Sequence, residues 1–212
     1  MKAFVLAEPG KVKWFDAPEP QLVPYGAILK PVAVTPCSSD VHTVFGGGSK
    51  KQDNLVLGHE CIAEVVSVGE NVCDFKTGDR VAVPAITPDW REKSIQEGND
   101  RHASAPFSGH QLGRTQPGVF SERFLIKDAD TTLAHIPQKI SEEQALMSVD
   151  VVTTGFTGAE YADIKIGDTV CVIGIGPIGL MAVAGAKLRG AARIIAVGTR
   201  PKCVQLAKYY GA

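Results

Sequence analysis

Short apolar runs alternate with polar turn residues from residue 1 to about residue 140. The runs are rich in β-branched and aromatic residues and are separated by Gly, Pro, Asn and Asp, which is typical of strands joined by turns. No helical period of any length is visible among them. The pattern therefore predicts a compact, mostly antiparallel β domain. Its predicted strands cover residues 1–7, 12–14, 27–34, 64–68, 80–84 and 119–126.

A different pattern begins after residue 140. Ser141 and Gln144 have the spacing of a capping box, which predicts a helix of about two turns. A second helix is predicted over residues 154–161. The change of pattern places a domain boundary near residue 152, with one domain over residues 1–152 and another over residues 153–212.

Residues 170–173 form a short, mostly β-branched run, which predicts a buried parallel strand. Gly174-Ile175-Gly176-Pro177-Ile178-Gly179 follows directly, and a helix over 177–188, a strand over 193–197 and a helix over 201–210 are predicted next. A glycine triplet alone is often only a turn. Because strand, turn, helix and strand come in order within one βαβ unit, this triplet predicts a dinucleotide-binding site.

The residues of this motif have separate expected roles. Gly174 is expected to make the tight turn, Gly176 to let the backbone approach a pyrophosphate, and Gly179 to let the helix pack close to the strand. Pro177 suits a first helical turn. Together with Ile178, these are predicted cofactor-binding residues.

The segment after the second predicted strand indicates which dinucleotide is bound. An NAD site places Asp or Glu there to accept a hydrogen bond from the ribose 2′-hydroxyl. This chain has Gly198-Thr199-Arg200 instead. No carboxylate repels a 2′-phosphate, and the guanidinium of Arg200 suits one. NADP is therefore predicted over NAD; the alternative is that Arg200 is only a solvated residue at a helix start.

Only two parallel strands are predicted, whereas a dinucleotide fold normally has about six. Two strands cannot cover their own faces and edges. We therefore expect the chain to be the front part of a longer protein, or a truncated product of one.

Composition excludes several classes of protein. The chain has 212 residues, 44% of them hydrophobic, and a net charge of −1, so it can bury a core but offers no basic surface for nucleic acid. No apolar run approaches the length of a membrane span. The five cysteines contain no Cys-x-x-Cys, which predicts reduced thiols in the cytoplasm, four of them small core residues.

Candidate metal ligands cluster in two segments of the first domain. Cys37 follows a predicted strand, with Ser39 and His42 close behind it, and His59-Glu60 precedes another strand. Cys, His and carboxylate together favour Zn²⁺. Taken singly, Cys37 also fits a core thiol, His59 a hydrogen-bonded loop histidine and Glu60 a surface charge. Spacing alone therefore does not decide between a zinc site and these ordinary roles.

These motifs together resemble the zinc-dependent medium-chain alcohol dehydrogenases. The shared motifs are Cys37 with Ser39 and His42, Gly58-His59-Glu60, residues 64–72, Gly78-Asp79-Arg80-Val81 and the glycine triplet. Residues 84–91, Asp150 with residues 153–156, and residues 184–190 are similar to the NADP-dependent secondary-alcohol dehydrogenases of bacteria and anaerobic protozoa. The likeness runs along essentially the whole chain and corresponds to roughly the first three fifths of such an enzyme.

The resemblance implies an α/β protein: an N-terminal, mostly antiparallel GroES-like catalytic domain followed by the start of a Rossmann domain. It implies hydride transfer between a secondary alcohol and NADP, giving a ketone or aldehyde. It also implies a homotetramer in the full-length form, with a small alcohol or ketone as substrate and no nucleic-acid or membrane partner.

The resemblance assigns individual residues as well. Cys37, His59 and Asp150 would hold one catalytic zinc, with Glu60 an adjacent carboxylate able to approach the metal. Ser39 and His42 would form the route by which the alcohol proton leaves, since the unperturbed pKa of histidine is about 6.5. From the residues alone, Asp150 equally suits an ordinary exposed carboxylate.

Two residues depart from the family pattern. Ala63 stands where the motif has Gly, so local strain is expected there. His110 stands where the bacterial enzymes carry a large aromatic near the substrate, whereas Ala85 agrees with a small apolar pocket. The polar lobe at residues 86–115 contains no Cys, so a second, four-cysteine zinc is not expected.

Two alternatives to an active alcohol dehydrogenase stay open. A zinc-free quinone or enoyl reductase of the same superfamily is disfavoured by the presence of Cys37, His59 and Asp150. A truncated, non-catalytic chain, able to pair with other subunits but not to perform the chemistry, is favoured by the chain length.

Overall fold

The computed structural model describes residues 1–46, 54–98 and 109–212; residues 99–108 of the polar lobe lie outside this description. The described chain forms two compact units, Met1–Val149 and Asp150–Ala212. The first unit contains β1 (Lys2–Glu8), β2 (Lys11–Asp16), β3 (Ala27–Thr35), α1 (Ser38–Phe45), β4 (Leu55–Val56), β5 (Glu60–Val68), β6 (Arg80–Val83), α2 (Lys93–Gln96), β7 (Phe124–Ile126), α3 (Ala129–Thr132), β8 (Ala134–His135) and α4 (Glu142–Ser148).

Two antiparallel sheets organise the first unit. The larger has the strand order β7-β3-β5-β6-β8, and the smaller has the order β2-β1-β4. The main core carries Leu29 from β3, Val65 from β5 and Phe124 from β7, all buried. The predicted antiparallel character of this domain is confirmed.

The pairing of β3 with β5 determines where the candidate ligands lie. Thr35, the last residue of β3, pairs with Glu60, the first residue of β5. Because the strands are antiparallel, the end of one and the start of the other meet at the same end of the sheet. Cys37 follows β3 and His59 precedes β5, so the sheet places both at that end.

Helix α4 packs against β3 and β5. Its first turn is fixed by the predicted capping box: Gln144 N donates to Ser141 Oγ at 3.3 Å, and Ser141 N donates to Gln144 Oε1 at 3.1 Å. Ala145 and Val149 are buried in one cluster with Ile62 of β5. This apolar contact holds the helix on the sheet.

The second unit is built around one parallel strand pair. It contains α5 (Val151–Tyr161), β9 (Thr169–Ile173), α6 (Pro177–Leu188), β10 (Arg193–Val197) and α7 (Pro201–Tyr210). β10 pairs with β9 in parallel, with Arg193 opposite Thr169. The predicted order of strand, helix, strand and helix is therefore observed.

The glycine motif has the expected local geometry. Gly174 has φ of +90°, a left-handed conformation that favours glycine in the turn after β9. A Cβ on Gly179 would collide with the carbonyl oxygen of Gly174, so α6 packs too close to this turn for any larger residue. Pro177 is the first residue of α6.

Helix α1 corrects the expectation that the first domain lacks helices. It has eight residues, and only Asp40 and Val44 are buried. Two buried positions in so short a segment give too weak a periodic pattern to detect. The helices α2 and α3 are not predicted either, because four residues are too few to show a helical period.

The strand predicted over residues 119–126 is also too long. Only Phe124–Ile126 forms β7. Val119 N donates to Gly58 O at 3.0 Å, and Phe120 O accepts from Phe4 N of β1 at 2.7 Å. This stretch therefore bonds partly to a loop and partly, through an isolated bridge between Ala3 and Ser121, to β1, without forming a regular strand. Tertiary contacts therefore override an apolar pattern that is itself strand-like.

Two expectations about burial are wrong, and one of the two expected causes of strain at Ala63 is absent. Strand β9 is not buried on both faces, since Ile173 is 82% exposed. Among the five cysteines only Cys61 is buried. Ala63 lies in β5 between Pro31 and Val81 and does not have positive φ, so its methyl group causes no left-handed strain.

Within the described ranges, no helix combines the length and apolar character that crossing a membrane requires.

Candidate metal centre and nucleotide site

Four candidate donor atoms lie within 4.8 Å of one another. They belong to the side chains of Cys37, His59, Glu60 and Asp150. His59 and Glu60 are each 2% exposed, whereas Cys37 and Asp150 are half-buried. Asp150 directly follows Val149, the last residue of the first unit. The structure thus brings together all four residues that the sequence suggested as metal ligands.

A buried carboxylate that sequence reasoning missed connects the two ligand segments. Asp40 Oδ2 accepts a hydrogen bond from Cys37 N at 2.8 Å, and Asp40 Oδ1 accepts one from Gly58 N at 3.3 Å. Asp40 Oδ1 also lies 3.4 Å from His59 Nδ1. Asp40 therefore orients the imidazole of His59 and holds the backbone beside both candidate ligands.

A sequence pattern could have identified Asp40. It lies three residues after Cys37, the N-cap of α1, and its carboxylate accepts from the N-cap N–H. This is the spacing of a capping box with an unusual N-cap residue. The same pattern would have predicted the start of α1.

The charges of this cluster shift two pKa values. Burial by itself lowers the pKa of His59, but hydrogen bonds and charges from Asp40 and Cys37 outweigh burial and raise the pKa of His59 to about 10. Burial by itself raises the pKa of Asp40, but the hydrogen bond from His59 and the backbone N–H of Cys37 bring the pKa of Asp40 below its usual range. Binding of a cation at His59 would displace its proton.

Asp150 is the N-cap residue of α5 and is oriented by its own helix. Thr154 Oγ1 donates a hydrogen bond to Asp150 Oδ1 at 2.5 Å. Thr153 Oγ1 and Thr154 N donate to the backbone carbonyl of Asp150 at 2.9 and 2.7 Å. The carboxylate thus has a fixed orientation, as expected for a ligand supported by a hydrogen-bonding partner.

Ser39 and His42 both lie on α1. Ser39 Oγ is 3.4 Å from His59 Nε2, which places the hydroxyl beside the candidate ligands. His42 follows three residues later and is exposed. Residues i and i+3 lie on the same face of a helix, so Ser39 and the exposed His42 share one side of α1.

Two further residues named in the sequence analysis lie near the candidate ligands. His110 contacts His59, and Ala85 bonds to Val149, which directly precedes Asp150. The ring of His110 meets the ring of His59 edge-on, with centroids 4.5 Å apart. Ala85 is buried, and its N–H donates to Val149 O at 3.1 Å. The position of His110 near the substrate stays a prediction.

The donor set fits Zn²⁺. Zinc binds sulfur at about 2.3 Å and nitrogen or oxygen at about 2.0–2.2 Å, so tetrahedral ligand atoms lie roughly 3.3–3.7 Å apart. Donors within 4.8 Å of one another can reach this spacing by small side-chain rotations. A thiolate, an imidazole and carboxylate oxygens are ligands that zinc accepts, and four candidates allow three to bind while one position exchanges.

The nucleotide motif and Arg200 lie side by side in the second unit. A Cβ built on Gly176 would come within 3.3 Å of Arg200 Nη2. Arg200 is also the N-cap of α7 and is exposed, so the helix-start interpretation is correct as a description of its backbone. Its guanidinium nevertheless extends to the glycine turn, where a nucleotide phosphate is expected.

The fold and the site together define a class of protein that combines a metal-ligating antiparallel domain with a dinucleotide-type βαβ unit. Residues 24–138, more than half of the chain, match the alcohol dehydrogenase GroES-like domain. The chain belongs to this family. The family and fold class implied by the resemblance are thereby confirmed.

Two curated relatives align with the whole chain. The NADP-dependent isopropanol dehydrogenase of Thermoanaerobacter brockii is 56% identical over 212 residues, and that of Clostridium beijerinckii is 50% identical over 212 residues. The chain covers 60% of the length of each relative.

Solved structures agree with this assignment. The whole chain superposes on 62% of an alcohol dehydrogenase from Thermus sp. ATN1 with a TM-score of 0.88 and 28% identity. It superposes on 60% of a zinc-dependent alcohol dehydrogenase from Streptococcus pneumonia with a TM-score of 0.89 and 30% identity.

Proposed function

We propose that this protein is a zinc-dependent oxidoreductase that transfers a hydride between a secondary alcohol and NADP, giving a ketone or aldehyde. The observation that carries the proposal is the convergence of Cys37, His59, Glu60 and Asp150, whose donor atoms lie within 4.8 Å. The names of the relatives, NADP-dependent isopropanol dehydrogenases, support the choice of reaction and cofactor.

The chain's own residues define the roles. Cys37, His59 and Asp150 would hold zinc, and Glu60 is close enough to exchange with one of them. A zinc ion held there supplies Lewis acidity, which lowers the pKa of an alcohol hydroxyl. Asp40 keeps the imidazole of His59 in the orientation that leaves Nε2 directed toward the ligand cluster.

The placement of Ser39 and His42 on α1 supports a route for proton removal. Ser39 accepts the proton of the substrate hydroxyl and transfers its own outward, and His42 passes it to solvent. The exposure of His42 and the 3.4 Å distance from Ser39 Oγ to His59 Nε2 support this direction.

Cofactor binding is assigned to the second unit. Gly174, Gly176, Pro177, Ile178 and Gly179 would receive the pyrophosphate at the start of α6. Gly198, Thr199 and Arg200 would contact the adenosine ribose, with Arg200 pairing with the 2′-phosphate. NADP supplies the hydride acceptor.

Metal content tests the proposal most directly. Native mass spectrometry of the purified chain is expected to show one zinc per chain. Cys37→Ser should remove most of it, whereas the control Cys73→Ser, an exposed thiol outside the cluster, should not. Equal zinc content in all three proteins, or none in the unmodified chain, would contradict the assigned site.

A second candidate is a chain that binds zinc without turnover. The observation that favours it is that the chain covers only 60% of the relatives. NADP reduction with 2-propanol distinguishes the two: zinc binding with turnover supports the dehydrogenase, and zinc binding without turnover supports the second candidate.

We also propose a cytoplasmic location and, for the full-length form, a homotetramer with a small alcohol or ketone as substrate. Five free thiols support a reducing compartment. The tetramer rests on the family resemblance, and sedimentation equilibrium of the full-length form tests it.

A further inference from the structure

Arg80 holds the first turn of α4 from the neighbouring strand. Arg80 Nη1 donates to Glu142 Oε1 at 3.1 Å, and Arg80 Nη2 donates to Ile140 O at 2.5 Å and Pro137 O at 3.4 Å. The side chains of Arg80 and Glu142 are only 33% and 35% exposed. A partly buried, charge-assisted network of this kind is stronger than an exposed ion pair.

The other end of α4 is held by a residue that follows the same strand, β6. Ala85, two residues after β6, donates its N–H to Val149 O at 3.1 Å. Val149 is the C-cap of α4 and is joined directly to Asp150. Arg80 at the start of β6 and Ala85 just beyond its end therefore fix the two ends of the helix.

The apolar contact beneath α4 does not fix the helix along its axis. Ala145 and Val149 pack on Ile62, and such contacts are non-directional. A helix of seven residues is also too short to be stable by itself. The hydrogen bonds of Arg80 and Ala85 are the directional contacts that set its position.

We propose that Arg80 is a positioning residue for the metal centre, acting through α4 on the placement of Asp150. The inference rests on the proposed function, because it takes Asp150 to be a zinc ligand. Arg80 itself is not a ligand; it determines where the backbone presents the Asp150 carboxylate to Cys37 and His59.

The first test measures zinc affinity by competition with a chelator. Arg80→Gln should weaken zinc binding about tenfold, as removal of a supporting partner of a ligand does. Arg80→Lys should restore part of the affinity, because it keeps the charge facing Glu142. Arg123→Gln is the matched control: it removes an ion pair with Glu19 at 3.3 Å, away from α4, and should leave zinc affinity unchanged.

A double variant tests whether the effect passes through Asp150. In an Asp150→Asn background, Arg80→Gln should cause little further loss of zinc affinity, since the positioned ligand is already impaired. Cobalt substitution adds a spectroscopic test: Arg80→Gln should change the ligand-field bands while the Cys37 thiolate band stays. Equal losses in both backgrounds, or unchanged bands, would overturn the proposal.

Hydrogen exchange of the metal-free chain tests the role of Arg80 without relying on zinc binding, and so independently of the proposed function. Arg80→Gln should speed exchange in residues 145–150 about tenfold, and Arg123→Gln should not. If the unmodified chain binds no zinc, the proposed function fails, and an unchanged exchange rate in Arg80→Gln would independently show that Arg80 does not hold this segment.

Discussion

Asp40 Oδ1 lies 3.4 Å from Nδ1 of His59, and both side chains are buried. The same carboxylate accepts hydrogen bonds from the backbone N–H groups of Cys37 and Gly58. One side chain thus connects the two segments that carry the candidate ligands Cys37 and His59. Partners of this kind usually affect metal affinity nearly as much as the ligands do.

Asp40→Asn should therefore weaken zinc binding by about 10- to 100-fold, because an amide cannot accept all the hydrogen bonds that the carboxylate accepts. Chelator competition measures the change. Asp130→Asn is the control, since Asp130 also accepts two backbone N–H bonds, from Cys73 and Asp74, away from the cluster. A comparable loss of zinc affinity in both variants would argue against a specific role for Asp40.

The raised pKa of His59 predicts a pH-dependent stability in the metal-free chain. Its pKa of about 10 exceeds the unfolded value of 6.5. The folded state therefore binds the proton more tightly, so this stabilisation is fully present below pH 6.5 and is lost as pH rises through about 10.

Urea unfolding of the metal-free chain between pH 6 and pH 10 measures this dependence. The unmodified chain should lose stability toward high pH more steeply than Asp40→Asn, in which His59 loses its contact with the Asp40 carboxylate but keeps Cys37 and Glu60 beside it. Subtracting the two curves removes the contribution of the other titrating groups. Parallel curves would show that Asp40 does not raise the pKa of His59.

Gly179→Ala should destabilise the second unit by about 1–3 kcal/mol, because the added methyl group would collide with the carbonyl oxygen of Gly174. Gly158→Ala is the matched substitution: it lies in α5 with open space around the added carbon, and it should be neutral or stabilising by up to about 1 kcal/mol. Thermal unfolding compares the two. Equal effects would show that α6 can move away from the turn at little cost.

Arg200→Gln should weaken binding of 2′,5′-ADP about tenfold, because one charge-assisted contact to the 2′-phosphate is lost. Binding of 5′-AMP should change little, since it lacks that phosphate. Calorimetric titration gives both affinities, and Arg189→Gln, at the opposite end of α6, controls for loss of positive charge. An equal loss for both nucleotides would assign Arg200 a general role in binding.

Local sequence determined much of the second unit and the start of α4. The helices Pro177–Leu188 and Pro201–Tyr210 and the strand Arg193–Val197 have the predicted bounds. Local residues determine where these elements begin and end. Each helix has proline in its first turn and glycine after its last turn, and the strand between them is a β-branched run. The capping box at Ser141 is equally local, because its two hydrogen bonds join residues three positions apart.

The candidate metal site also has features that the sequence predicts and features that only the tertiary structure determines. The identities of Cys37, His59, Glu60 and Asp150 are visible in the sequence as residues able to bind zinc, and the family resemblance selected Asp150 from other carboxylates. Only the antiparallel pairing of Thr35 with Glu60 and the packing of α4 bring their donor atoms within 4.8 Å. The spacing of Asp40 from Cys37 is local and could have indicated a cap, but its contacts with Gly58 and His59 join segments that are distant in sequence.

The sequence by itself therefore determined the segments whose hydrogen bonds and caps are local, the βαβ order and the residue types capable of the chemistry. The tertiary structure alone decided the irregular path of the chain before Phe124, the exposure of Ile173 and the assembly of the candidate ligand cluster. These features depend on contacts between residues far apart in the chain, which no local pattern of apolar and polar positions records.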